Sequence, residues 1–152
     1  MDKVKTKLTL EKAVKNTAER FPTFLGVLIF GSFLTKENPN DLDIIPVMEK
    51  YNGEWNLQSI DSEGESCADE PDYQMWLRLE DYFLSHFPLL PEGTYIKGNY
   101  RKGKERGIHY EHLIVLESPR ASKQVLERYG AKSIDFVGPE NVRSRLMEIC
   151  SL

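Results

Sequence analysis

The sequence predicts an α/β (α+β) fold, a mixed, largely antiparallel sheet with helices packed against it. Three observations carry this expectation. Phe24 to Phe30 is an unbroken apolar run of strand length, rich in branched and aromatic residues, as a strand buried on both faces requires. Apolar residues recur at helical spacing on either side of it, from Leu10 to Phe21 and from Met75 to Phe87. Helical and strand patterns alternate along the chain, which favours helices laid on one face of a mixed sheet over separate α and β units.

Each element follows from local chemistry. Thr9 suits an N-cap, and Leu10, Ala13, Val14, Thr17, Ala18 and Phe21 form one helical stripe that Pro22 closes. After the 24–30 strand come Gly31-Ser32, the loop residues 36–40 and a second strand from Leu42 to Met48. Pro46 lacks an amide hydrogen, so that strand lies at an edge or its pairing stops nearby. Residues 52–72 turn polar, and the six acids Asp61, Glu63, Glu65, Asp69, Glu70 and Asp72 have no base among them, a solvated loop or a lid. Beyond Pro71, Met75, Trp76, Leu79, Tyr82, Phe83 and Phe87 predict a helix ending before Pro88.

Residues 94–117 read as a hairpin, with strands Thr94–Tyr100 and Ile108–Glu117 joined by a glycine-bearing basic turn. Ser118-Pro119 opens a helix that Gly130 ends after Tyr129, Ser133 to Val137 is a short strand, and Pro139 starts a last helix with Val142, Leu146 and Ile149 on one face.

Composition limits the function classes. At 152 residues the chain suits one domain spanning 1–152. A net charge of −4 argues against coating nucleic acid through an overall field. The longest apolar run is far below the roughly 20 residues that span a bilayer, and no secretory apolar stretch follows the basic residues 1–7, so a cytoplasmic protein with no membrane segment is expected. Cys67 and Cys150 lack a CxxC companion and read as two free thiols; with no basic neighbour to activate it, Cys67 is not a nucleophile.

The chemistry concentrates in residues 30–47, FGSFLTKENPNDLDIIPV. On a strand Asp41 and Asp43 share a face while Leu42 and Ile44 take the other. Two carboxylates projecting together repel unless a cation or water lies between them. Hard oxygen ligands in small number suit Mg²⁺ (or Mn²⁺), which keeps several waters and takes further oxygens from a substrate phosphate. Gly31 lets backbone approach such a phosphate, and the Ser32 hydroxyl can donate to it. The bland alternative is turn chemistry, since Asn-Pro-Asn-Asp makes a good turn unaided, but Asp43 falls beyond the turn and inside the apolar strand.

An apolar strand, Gly-Ser, an eight-residue spacer and Asp41-Leu42-Asp43 together resemble the signature of the polymerase-beta-like nucleotidyltransferase superfamily, in its small, minimal form. The resemblance covers about 10–50 well and 120–149 loosely. It implies a single nucleotidyltransferase-like domain that moves a nucleoside monophosphate from a nucleoside triphosphate to a hydroxyl, with release of pyrophosphate. Gly31 and Ser32 would hold the triphosphate; apart from the resemblance, Lys36 stands just past them, within reach of a phosphate by its position in the sequence. Asp41 and Asp43 would hold two metals, completed by a third carboxylate on a later strand. Asp135 in Ser-Ile-Asp-Phe-Val is the first candidate for that carboxylate, with Glu117 and Glu111 as competitors. The resemblance also implies an acceptor such as a protein, for example a toxin modified by its antitoxin, or a tRNA end.

Two further features stay open at the level of sequence. Residues 97–106 carry Lys97, Arg101, Lys102, Lys104 and Arg106 against Glu105, a local charge of 5 − 1 = +4. That is either a solubilising tip or a clamp for RNA or triphosphate, with Tyr95 and Tyr100 able to stack. His109 and His112 fall on opposite faces of a strand and share no metal. The competing function is a catalytically silent module of the same fold that binds a partner protein, as an antitoxin or inhibitor would.

Overall fold

The computed structural model describes residues 2–50, 71–87, 107–110 and 113–152. The acidic stretch lies outside these residues up to Glu70, as do the predicted strand 94–100, the basic turn and Glu111. Helix α1 (Lys3–Arg20) leads into β1 (Phe24–Phe30), the short helix α2 (Ser32–Thr35) and β2 (Asp41–Met48). After α3 (Pro71–Leu84) come β3 (Gly107–Tyr110), β4 (Ile114–Val115) and α4 (Pro119–Tyr129). A 3-10 turn (Ser133–Asp135), β5 (Phe136–Val137) and α5 (Glu140–Cys150) complete the order.

The sheet is mixed, in the order β3-β2-β1-β5, with β4 also on β2. β1 pairs antiparallel with β2 and β5, whereas β3 and β4 both run parallel to β2. Among the described residues β2 thus has one antiparallel and two parallel partners, where a largely antiparallel sheet was expected; the 94–100 arm of the predicted hairpin lies outside the described residues. A parallel neighbour needs a crossover, and α3 lies in the connection from β2 to β3.

Pro46 marks the break between the two parallel partners. β3 pairs with β2 up to Ile44 and β4 from Val47, with the register slipped by one residue between them, so the strand is internal and the irregularity falls near the proline, which has no donor for the ladder.

Helices cover both faces of the sheet, where the sequence pattern suggested one. On one face Leu10, Ala13 and Val14 of α1 and Leu79 and Phe83 of α3 pack with Val27, Ile29, Leu42 and Ile44. On the other, Val125 and Leu126 of α4 and Val142, Leu146 and Ile149 of α5 pack with Leu28, Ile45 and Val47. The two-sided cover follows from β1 and β2 themselves, whose apolar residues do not alternate with polar ones and leave no face fit for water. No described helix is long and apolar enough to cross a membrane.

Three local departures have simple causes. α1 starts at Lys3, six residues before the predicted Thr9 cap, because the Asp2 carboxylate accepts from the Lys5 amide; Thr9 instead donates its hydroxyl back to the Lys5 carbonyl. The predicted strand 133–137 is a 3-10 turn followed by only two strand residues, so Asp135 ends a turn. Within the predicted strand 108–117 the described residues form β3 and β4, and Leu113, just before β4, is not in a strand. By contrast α4 ends where predicted, with Gly130 in the left-handed region at φ 64°.

Candidate functional site

The Gly-Ser turn and the two acids meet at one end of the sheet. Register places Phe30 opposite Asp43, so Gly31 and Ser32, the next two residues, leave β1 beside the start of β2. Gly31 has φ 74° and ψ −151°, a conformation that is strained for any residue bearing a Cβ. A Cβ placed on it would lie 2.7 Å from Asp43 Oδ2. The glycine therefore serves two ends, turning the chain and leaving room for a carboxylate against its backbone.

Asp41 and Asp43 follow strand alternation. Leu42 and Ile44 enter the first core at 0% and 2% exposure, and Asp41 and Asp43 fall on the side of Ile45 and Val47, beyond the edge of the second core. Both acids are half-buried, and Asp41 Oδ1 is itself buried. The wall beside them is aromatic: Phe30 shares the Asp43 register and packs on Tyr129 of α4, ring centroids 5.3 Å apart. The Arg128 guanidinium lies 5.5 Å from the Tyr129 ring centroid.

Ser32 is the first residue of α2 and is half-buried; its carbonyl accepts from the Lys36 amide at 2.8 Å. Lys36 is exposed and closes the turn through its backbone. Beneath the turn Phe33 is buried in the first core.

The third-acid candidates separate by topology. Asp135 is half-buried and precedes β5, which pairs with β1 and not with β2. Two strand spacings of ~4.8 Å put β5 and β2 about 10 Å apart on either side of β1. Among the described residues no three His, Cys, Asp or Glu side chains come together as a metal-holding group, so Asp135 is not gathered with Asp41 and Asp43. Glu117 is remote: its amide donates to the Glu49 carbonyl, six residues beyond Asp43 and so roughly 20 Å along β2. Glu111 lies outside the described residues but directly follows β3, the strand paired with β2, in which His109 stands level with Asp43 and Gly107 with Asp41.

The donor set fits a hard divalent cation. The two carboxylates share one strand face, and the carboxylate of Asp43 lies against the Gly31 backbone; oxygen donors of this kind are the ones a hard divalent cation takes. The residue that sequence reasoning passed over is Lys3, taken only as part of a basic terminus; its ammonium lies against α2. No sequence signal pointed to it, since the contact joins positions 31 and 33 residues apart. Comparison of the chain with protein-family models, curated proteins and solved structures returns no match.

Proposed function

We propose that the protein is a metal-dependent nucleotidyltransferase that transfers a nucleoside monophosphate from a nucleoside triphosphate to a hydroxyl acceptor. The observation that carries this reading is the fit of Gly31 against Asp43, which joins a backbone turn suited to phosphate with a carboxylate pair suited to Mg²⁺.

In this reading Asp41 and Asp43 hold the cation through their carboxylate oxygens, and the turn at Gly31 admits the triphosphate close to the backbone. The Ser32 hydroxyl donates to a phosphate oxygen and fixes its orientation. The acceptor hydroxyl releases its proton to solvent as its oxygen bonds to the α-phosphorus, the bond from the α-phosphorus to the oxygen bridging to the β-phosphate breaks, and pyrophosphate departs. Bound Mg²⁺ would supply charge stabilisation to the entering and leaving oxygens. The protein's own part is mainly positioning, since phosphoryl transfer leaves it little covalent work. Asp135, Glu117 and Glu111 stay the candidates for a third carboxylate in this reading; Glu111 follows β3 in the sequence, and since β3 adjoins β2 it is the one we test first.

The test is transfer of label from each α-labelled triphosphate to protein, RNA and small hydroxyl acceptors, with Mg²⁺ or Mn²⁺. The Asp41→Asn/Asp43→Asn variant is expected to lose about 100-fold or more. Label transfer undiminished in that variant would sink the assignment. In the same assay Glu111→Gln is expected to fall steeply and Asp135→Asn to stay within a few-fold of the parent. A binding module without turnover is the second reading, favoured by the absence of a third acid beside the pair among the described residues. It would give triphosphate or partner binding with no transfer to any acceptor.

A further inference from the structure

We propose that Lys3 is a positioning residue for the Gly31–Ser32 turn, acting through the far end of α2. A helix of four residues cannot hold itself together in water, because one turn barely repays the ordering of its backbone. Its place must be set by what it touches.

Two contacts involving α1 do this. Phe33 is buried in the same core as Leu10, Ala13 and Val14 of α1. The Lys3 ammonium, also from α1, donates to the Lys36 carbonyl at 3.1 Å, approaches the Leu34 carbonyl at 3.5 Å and stands 5.7 Å from the Phe33 ring centroid. A cation suits that position, since the last carbonyls of a helix point outward without helical partners and carry partial negative charge. Lys3 belongs to the first turn of α1, an 18-residue helix anchored in the first core. It therefore ties a rigid element to a short one.

The consequence reaches the site in one step. Ser32 opens α2 and its carbonyl takes the Lys36 amide, so the Lys36 backbone held by Lys3 is the same backbone that closes the turn on Ser32. Gly31, one residue earlier, lies against Asp43. Releasing Lys3 lets α2 tilt on Phe33 and loosens the Gly-Ser turn relative to the carboxylates. The Lys3 ammonium is directed to carbonyls and not to the substrate, so its loss weakens triphosphate capture more than the chemical step.

This inference rests on the nucleotidyltransferase reading for its kinetic consequence, and one of its two readouts does not need that reading. Lys3→Met keeps the apolar stem and removes the ammonium; Lys3→Arg keeps a cation. In wild type, Lys3→Met and Lys3→Arg, the amide resonances of Gly31 and Ser32 are followed by ¹⁵N NMR, and KM and kcat for the triphosphate are measured in the transfer assay. Lys3→Met is expected to move both amide resonances and to raise KM about tenfold with kcat within about twofold, from loss of one charge-assisted hydrogen bond. Lys3→Arg is expected to restore both.

Unmoved Gly31 and Ser32 resonances in Lys3→Met, an equal fall in kcat with KM unchanged, or an arginine variant no better than methionine would each overturn the proposal. If wild type transfers no label to any acceptor, the functional reading fails, and moved or unmoved resonances still support or overturn Lys3 as the residue that sets the turn.

Discussion

Gly31 separates two costs that one substitution would mix. Alanine there meets a backbone conformation that costs about 1–3 kcal/mol outside glycine, and its Cβ would stand 2.7 Å from Asp43 Oδ2. The carboxylate is the end of a side chain and can swing away, so the steric part displaces Asp43 more than it breaks the strand. A double-mutant cycle resolves the two. Gly31→Ala alone is expected to destabilise by about 2 kcal/mol. In an Asp43→Ala background the penalty is expected to shrink by about 0.5–1 kcal/mol and leave the backbone part, as read from denaturant midpoints. An unchanged penalty would mean that Asp43 does not press on Gly31.

At the scale of elements, β2 is pinned at its far end by an ion pair. Arg145 of α5 donates to Glu49 Oε2 at 2.7 Å and Oε1 at 3.1 Å, a forked contact between the strand end and the second helical layer. The hydrogen bonds from Arg145 hold the Glu49 carboxyl below its ordinary range, against a smaller opposing push from burial. Side-chain exposures of 43% and 40% leave the pair well screened, so its worth is at most about 1 kcal/mol.

The sign follows from the direction of the shift. A depressed carboxyl stabilises the fold above the unfolded value, about 4.3, and loses that contribution as pH falls through the folded value. Arg145→Met is therefore expected to be less stable than wild type at pH 7 by up to about 1 kcal/mol, and the gap to close progressively below about pH 4. A gap that persists at pH 2 would assign the loss to packing of the arginine stem.

At the scale of the whole fold, the sheet separates two apolar cores that share no buried residue among the described residues. Leu10 lies fully buried in one and Leu146 in the other. Each Leu→Ala change is expected to cost about 2–5 kcal/mol, and the double variant to show the sum within about 0.5 kcal/mol, because no cavity is common to both. A large coupling measured by equilibrium unfolding would show that strain crosses the sheet.

What was legible in the sequence divides along the same line. Apolar runs, caps and breakers act over a few residues, so β1, β2, the α4 terminus at Gly130 and the apolar face of α5 could be read directly. So could the sharing of one face by Asp41 and Asp43, since strand alternation is local. The sequence alone thus determined that a Gly-Ser turn precedes an acid pair, and that the strands bearing them are apolar enough for burial on both sides.

Strand order, the two-sided helical cover and the parallel pairing of β3 with β2 were settled only in three dimensions. Each depends on contacts between distant positions, whose closure entropy is repaid by packing that no local pattern encodes. The same holds for the site. Its two halves are visible in residues 30–47, whereas the seating of Gly31 against Asp43 and the reach of Lys3 to Lys36 exist only because the register of β1 on β2 and the packing of α1 beside α2 bring them together.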